Sequence, residues 1–135
     1  MISTFIFDLG GVVLSRGLWD FRAYLEKTYS LSEKKVFDVF INKYYKPYFS
    51  GELSEIDFWE HIKKDLNINE DYKVLKNELL GFFILNEDVV GLINKLRKKG
   101  YKTCLLSDQT KDWWPILDKN IPYLYILMKL LFQQK

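Results

Sequence analysis

Asp8 closes the apolar run Thr4-Phe5-Ile6-Phe7 and is followed at once by Leu9-Gly10-Gly11. A bare carboxylate in that place can act as a nucleophile or as a hard oxygen ligand for a metal ion. The two glycines permit backbone conformations and close approaches that bulkier residues resist. About a hundred residues later, Ser107-Asp108 closes a second apolar run, Cys104-Leu105-Leu106. Ser107 offers a hydroxyl and a backbone N–H, both good donors to a phosphate group. Ligands of open α/β sheets bind outside the carboxyl edge of the strands. Parallel pairing of the two runs would bring Asp8 and Ser107 to one such edge. The plain alternative is that Asp8 caps a turn and Ser107 caps the next helix. Residue types alone leave both readings open.

The elements that must position these residues are legible from periodicity. The first run shows no alternation, which predicts a short central strand covered on both faces. Helical spacing then dominates for about seventy residues, beginning with Leu18, Phe21, Tyr24 and Leu25. Ser32 opens a second helix carrying Val36, Phe37, Val39, Phe40 and Tyr44, which Pro47 and the turn "FSGELS" are expected to end. Ser54 followed by Asp57 resembles a capping box ahead of Phe58, Trp59, Ile62 and Leu66. Asn69 is placed to cap a further helix through "YKVLKNELLGFF". In "LNEDVVGLINKLRKKG", Asn86 precedes an acidic first turn, basic residues fill the last turn, and Gly100 stops it, as the helix dipole favours. The strand "YKTCLLSDQ" follows. A strand, a long helical insertion, then helix into strand is the pattern of a parallel sheet.

Composition narrows the class. The chain has 135 residues, 48% of them hydrophobic and 17% aromatic, which is ample for a core. Its 20 basic and 18 acidic residues leave a net charge of +2, too small for a nucleic-acid footprint. No stretch reaches the roughly 18 apolar residues of a membrane span, and the amino terminus lacks the basic flank of a signal peptide. A single cysteine, Cys104, excludes an intramolecular disulfide and fits a reducing compartment. The expectation is a cytoplasmic α/β protein with no nucleic-acid or membrane partner.

"FIFDLGGVVLS" and "CLLSDQT", with helices inserted between them, resemble the first two motifs of the haloacid dehalogenase-like hydrolases. "FSGELSEIDFWEHI" is similar to the helical cap of the small-cap phosphatase branch. The resemblance implies a Rossmann-like three-layer α/β core from residues 1–15 and 84–135, with a helical cap at 16–83. It implies that Asp8 attacks phosphorus and forms an aspartyl-phosphate that water later hydrolyses. Asp8 and the Gly10 carbonyl would ligate Mg²⁺, and Gly11, Ser107 and Asp108 would form the phosphate-binding part of the site. The substrate would be a small phosphorylated metabolite, with the cap closing over it.

The chain departs from that pattern in two ways. The family commonly carries a second aspartate two residues after the nucleophile, and that position is Gly10. General acid–base help is worth about 10²–10⁴-fold. The 25 residues after Thr110 also contain no Gly-x-x-Lys-Pro setting for the family's lysine and no paired acids for its metal site; Lys119 and Lys129 stand in other surroundings. The expectation is therefore a core incomplete at its carboxyl end, with a prematurely ended chain and a tail from Tyr123 to Leu131 that either docks poorly as a strand or patches the gap as a helix. Edge-to-edge pairing of two chains as a homodimer is the alternative. A catalytically inactive fragment or binding module is the competing functional reading. Haloacid dehalogenation without metal is another, which would need a cationic halide cradle; Arg16 and Arg22 are the nearest arginines after Asp8.

The remaining candidates read as structural. His61, the only histidine, lies on a capped helix among charged residues. Cys104 sits mid-strand as a core thiol. Trp113-Trp114 is expected to pack against the sheet edge in preference to stacking on substrate, Tyr44, Tyr45 and Tyr48 fit an amphipathic helical core as well as a cap-side pocket, and "KLRKK" is a basic helix end.

Overall fold

A computed structural model describes residues 1–121, so the expectations for Tyr123–Leu131 and for Lys129 lie outside the described residues. The chain divides into two compact units. One comprises Met1–Gly17 with the described part of Phe83–Lys135, and the other is Leu18–Phe82.

The first unit holds β1 (Thr4–Asp8), α6 (Glu87–Lys98), β2 (Lys102–Leu106) and α7 (Trp114–Asn120). The two strands pair in parallel, with Thr4 opposite Lys102, Ile6 opposite Cys104 and Asp8 opposite Leu106. Alternation of side chains then assigns the faces. Thr103 and Leu105 are buried and Phe5 and Phe7 half-buried, so these four share the covered face. α6 packs against β2, and its Arg97 Nε donates to Thr103 Oγ1 at 2.6 Å. Desolvation lowers the pKa of that guanidinium from its ordinary value. The other face is open: Ile6 is 67% and Leu106 70% exposed. The expectation of a strand covered on both faces is thus corrected. An unalternating apolar run does not reveal which face is covered, and among the described residues helix packing reaches one.

α6 is delimited as its sequence suggests. Asn86 Oδ1 accepts from the Val89 N–H at 3.4 Å, and Gly100 takes a left-handed conformation after the last turn, with φ of 85°. The segments leading out of and back into this unit are tied together. The Ser15 N–H donates to the Ile84 carbonyl and the Ile84 N–H to Ser15 Oγ, both at 2.8 Å, while the Asn86 N–H reaches the Val13 carbonyl at 2.8 Å. Gly17 lies under the Phe83 ring so closely that a Cβ there would stand 2.8 Å from two ring carbons.

The second unit is helical: α1 (Gly17–Thr28), α2 (Glu33–Val36), a π-helix (Phe37–Tyr45), α3 (Lys46–Phe49), α4 (Glu55–Leu66) and α5 (Tyr72–Gly81). Its core is aromatic. Phe21, Phe40, Phe58 and Trp59 are fully buried, with Phe21 edge-on to Trp59 at 6.1 Å and Phe40 tilted against Phe58 at 5.7 Å. Burial of one such side chain contributes about 1.5–3 kcal/mol. Tyr48 stacks on Phe58 at 4.5 Å, Tyr45 on Phe49 at 4.0 Å, and the Tyr44 hydroxyl donates to Asp65 Oδ2 at 2.8 Å. These tyrosines belong to the packing of the helices. His61 is exposed and stacks on Tyr44 at 5.2 Å. Lys43 and Tyr44, both hydrogen-bonded to Asp65, hold its carboxyl below the ordinary carboxylate range.

Two local expectations are corrected here. Pro47 does not end the second helix, which continues to Phe49; the expected "FSGELS" turn does, with Gly51 at φ of 82°. A proline is tolerated in the first turn of a helical segment, and Pro47 stands there in α3, directly after the π-helix. The cap of α5 is Asp71, whose Oδ1 accepts from the Lys73 N–H at 2.7 Å, because the helix starts at Tyr72, too far along for Asn69 to reach. Ser32 and Ser54 cap as expected, with Ser54 Oγ accepting from the Asp57 N–H at 3.1 Å.

The contact between Gly17 and Phe83 gives a direct test. Gly17→Ala is expected to destabilise the protein by about 1–3 kcal/mol through overpacking. In a Phe83→Leu background the same change should cost clearly less, measured by urea denaturation as a double-mutant cycle. Equal costs in both backgrounds would remove the ring as the cause.

Candidate active site

Asp8 is the last residue of β1 and is exposed at its carboxyl end. Its Oδ1 accepts from the Leu9 N–H at 2.7 Å, which turns the carboxylate and leaves Oδ2 without a hydrogen bond among the described residues. The chain then wraps back on itself. The Leu14 N–H donates to the Leu9 carbonyl at 2.7 Å and the Val13 N–H to the Asp8 carbonyl at 3.4 Å. Leu9, Val13 and Leu14 are buried beneath this turn, so hydrophobic burial anchors the loop that presents Asp8.

The two glycines have different reasons to be there. Gly11 has φ of 79°, a left-handed conformation that side chains disfavour, and a Cβ on it would lie 3.3 Å from Arg16 Cγ. Its N–H already donates to the Ser15 carbonyl at 3.3 Å, so binding a phosphate through Gly11 would require that long bond to be exchanged. Gly10 is exposed, and nothing lies within 4 Å of where its Cβ would stand. The Arg16 stem lies over Gly11, a contact that sequence reasoning did not single out. The turn that returns Ser15 to Gly11 brings it there, and no residue pattern announces that turn.

β2 delivers its own residues to the same edge. Because Asp8 pairs with Leu106, Ser107 and Asp108 are the next residues beyond that pair on the neighbouring strand. Ser107 Oγ donates to the Asp108 carbonyl at 3.2 Å and accepts from Gln109 Nε2 at 3.1 Å. The Asp108 carboxylate is exposed and makes no hydrogen bond or ion pair among the described residues. Beyond it, Thr110 Oγ1 accepts from the Trp113 N–H at 3.1 Å, and the Trp113 ring is buried. Trp113 thereby anchors the loop after Asp108. Cys104 faces away from the covered side and is half-buried.

A hard divalent cation calls for several oxygen ligands. Among the described residues no three His, Cys, Asp or Glu side chains gather as a metal cluster. A carboxylate and a backbone carbonyl, from Asp8 and Gly10, are the kinds of oxygen ligand that Mg²⁺ accepts, with water and substrate phosphate filling the remaining positions. The residues fit in kind and are few in number.

No family model and no curated protein matches the sequence. Solved structures do resemble it. A HAD family enzyme, bt-2542 from Bacteroides thetaiotaomicron, superposes with a TM-score of 0.62 at 22% identity, covering 88% of this chain and 59% of that one. The wild-type form of that enzyme, in complex with magnesium and inorganic phosphate, gives 0.57 at 23% identity, covering 89% of this chain and 60% of that one. A predicted HAD-like family hydrolase from Porphyromonas gingivalis gives 0.54 at 25% identity over 82% of this chain and 53% of that one. The chain thus spans just over half the length of these proteins, and shares their α/β fold.

The glycine pair yields a contrast that stability measurements can read. Gly11→Ala is expected to cost about 1–2 kcal/mol, from the left-handed conformation and the Arg16 stem. Gly10→Ala, with open space and no such conformation, should fall within about 0.5 kcal/mol of the parent. Thermal unfolding of the two variants side by side checks the assignment.

Proposed function

We propose that this chain, which has the fold of the haloacid dehalogenase-like hydrolases, is a Mg²⁺-dependent phosphatase acting on a small phosphomonoester through an aspartyl-phosphate on Asp8. The observation that carries the reading is a carboxylate with a free oxygen at the carboxyl edge of a parallel strand pair, beside a serine hydroxyl and a glycine turn. The magnesium and phosphate bound by the Bacteroides enzyme support the same chemistry for this fold.

In this reading Asp8 Oδ2 attacks phosphorus in line with the departing alkoxide, and Oδ1 stays held by the Leu9 N–H. Ser107 Oγ turns its hydroxyl from the Asp108 carbonyl to a phosphoryl oxygen, a stronger acceptor because it is charged. Asp8 and the Gly10 carbonyl would hold Mg²⁺, which when bound offsets the repulsion between the Asp8 carboxylate and a phosphate dianion. Water then attacks the aspartyl-phosphate and frees orthophosphate and Asp8. The helical unit, Leu18–Phe82, would supply the cap that the resemblance implies.

Turnover of p-nitrophenyl phosphate with Mg²⁺ should fall by at least about 10³-fold in Asp8→Asn, since an amide cannot serve as the nucleophile. Chelation of the metal should abolish turnover in the parent chain. Turnover that persists without metal would point to a different use of Asp8. An unchanged rate in Asp8→Asn would overturn Asp8 as the nucleophile, and no turnover in the parent would leave a phosphate-binding module as the better description.

A further inference from the structure

We propose that Asp108 is the general acid–base of this site, supplied from β2 because Gly10 has no side chain to supply it from β1. The proposal rests on the aspartyl-phosphate reading above. Asp8 pairs with Leu106, Gly10 lies two residues past Asp8, and Asp108 lies two residues past Leu106. Both positions lie in the loops that leave the same carboxyl edge. With strands about 4.8 Å apart and only two residues of chain beyond Leu106, the Asp108 Cα lies within about 12 Å of that of Asp8. A phosphoryl group on Asp8 and an aspartate side chain can span such a gap between them.

The chemistry of Asp108 fits proton transfer better than phosphate binding. A carboxylate beside a phosphoryl dianion is repelled by it, and holding a proton removes that repulsion. The protonated carboxyl then has a partner for its proton in the ester oxygen that departs. The group is also uncommitted, being exposed and free of hydrogen bonds and ion pairs among the described residues. Its backbone is held by the Ser107 hydroxyl and by the Thr110–Trp113 anchor. The charged groups on the neighbouring segments are Asp8, Arg16, Lys111 and Asp112.

The steps balance without another reactant. As the Asp8 Oδ2–phosphorus bond forms and the bond from phosphorus to the ester oxygen breaks, Asp108 gives its proton to that oxygen and the alcohol leaves. The Asp108 carboxylate then takes a proton from water as the water oxygen attacks phosphorus. The bond from phosphorus to Asp8 breaks, orthophosphate leaves, and Asp108 is protonated again.

A leaving-group comparison tests this. Asp108→Asn should lower kcat/KM for an alkyl phosphate by about 10²-fold or more, because an alkoxide needs the proton. The loss for p-nitrophenyl phosphate should be much smaller, because its phenolate departs readily unprotonated. With that ester the variant should also accumulate phosphorylated protein, seen by intact mass, because water activation is lost. Gly10→Asp in the Asp108→Asn background should recover a large part of the alkyl phosphate rate, since the open space at Gly10 admits the side chain. Equal losses on both esters with no rescue would overturn the role of Asp108. Parent turnover that survives Asp8→Asn would instead overturn the aspartyl-phosphate reading, and the proposal with it.

Discussion

Two five-residue strands pair in parallel with Asp8 opposite Leu106, and every feature of the candidate site depends on that register. Parallel pairing makes both strands end at one edge, so the loops after Asp8 and after Leu106 start side by side. A slip of one residue would exchange the covered and open faces of a strand. Phe5 and Phe7 would then move to the open face, and Asp8 would no longer emerge beside Ser107. Burial enforces the register from both sides. Leu9, Val13 and Leu14 sit beneath the first loop, and the buried Thr103 and Leu105 hold β2, with Arg97 tied to Thr103.

Stability and chemistry are assigned to different parts of the chain. The helical unit concentrates its burial in Phe21, Phe40, Phe58 and Trp59. That unit also carries a buried cost: the Trp59 indole N–H has no hydrogen-bond partner among the described residues. The strand pair by contrast leaves Ile6 and Leu106 in solvent, and its loops expose Asp8, Gly10, Ser107 and Asp108. Segments with few buried contacts open most readily. The residues proposed to touch phosphate therefore lie where local rearrangement is cheapest, as the hydroxyl switch at Ser107 requires.

The sequence was most legible where one residue type has one physical use. Asp8 after an apolar run, the serine and asparagine caps at 32, 54 and 86, and Gly100 after a basic helix end all stand where their chemistry suggests. It was least legible where distant parts of the chain decide the outcome. Phe5-Ile6-Phe7 reads as buried on both sides because all three residues are apolar; only packing assigns Ile6 to the open face. Pro47 reads as a helix end unless the π turns before it are known. Asn69 and Asp71 are equally good caps by type, and the start of the helix chooses between them. The use of Gly17 against Phe83, and the Arg16 stem over Gly11, arise from chain returns that no local pattern encodes.

The central claim is that phosphoryl transfer runs through the carboxylate that this register presents. The most direct measurement is the position of the phosphoryl group on the protein after brief exposure to acetyl phosphate and Mg²⁺, followed by borohydride reduction and peptide mass mapping. Reduction of an aspartyl-phosphate leaves homoserine in place of aspartate. The account predicts homoserine at position 8 and at no other aspartate. Homoserine at Asp108 or elsewhere, or continued release of phosphate with position 8 unmodified, would contradict it.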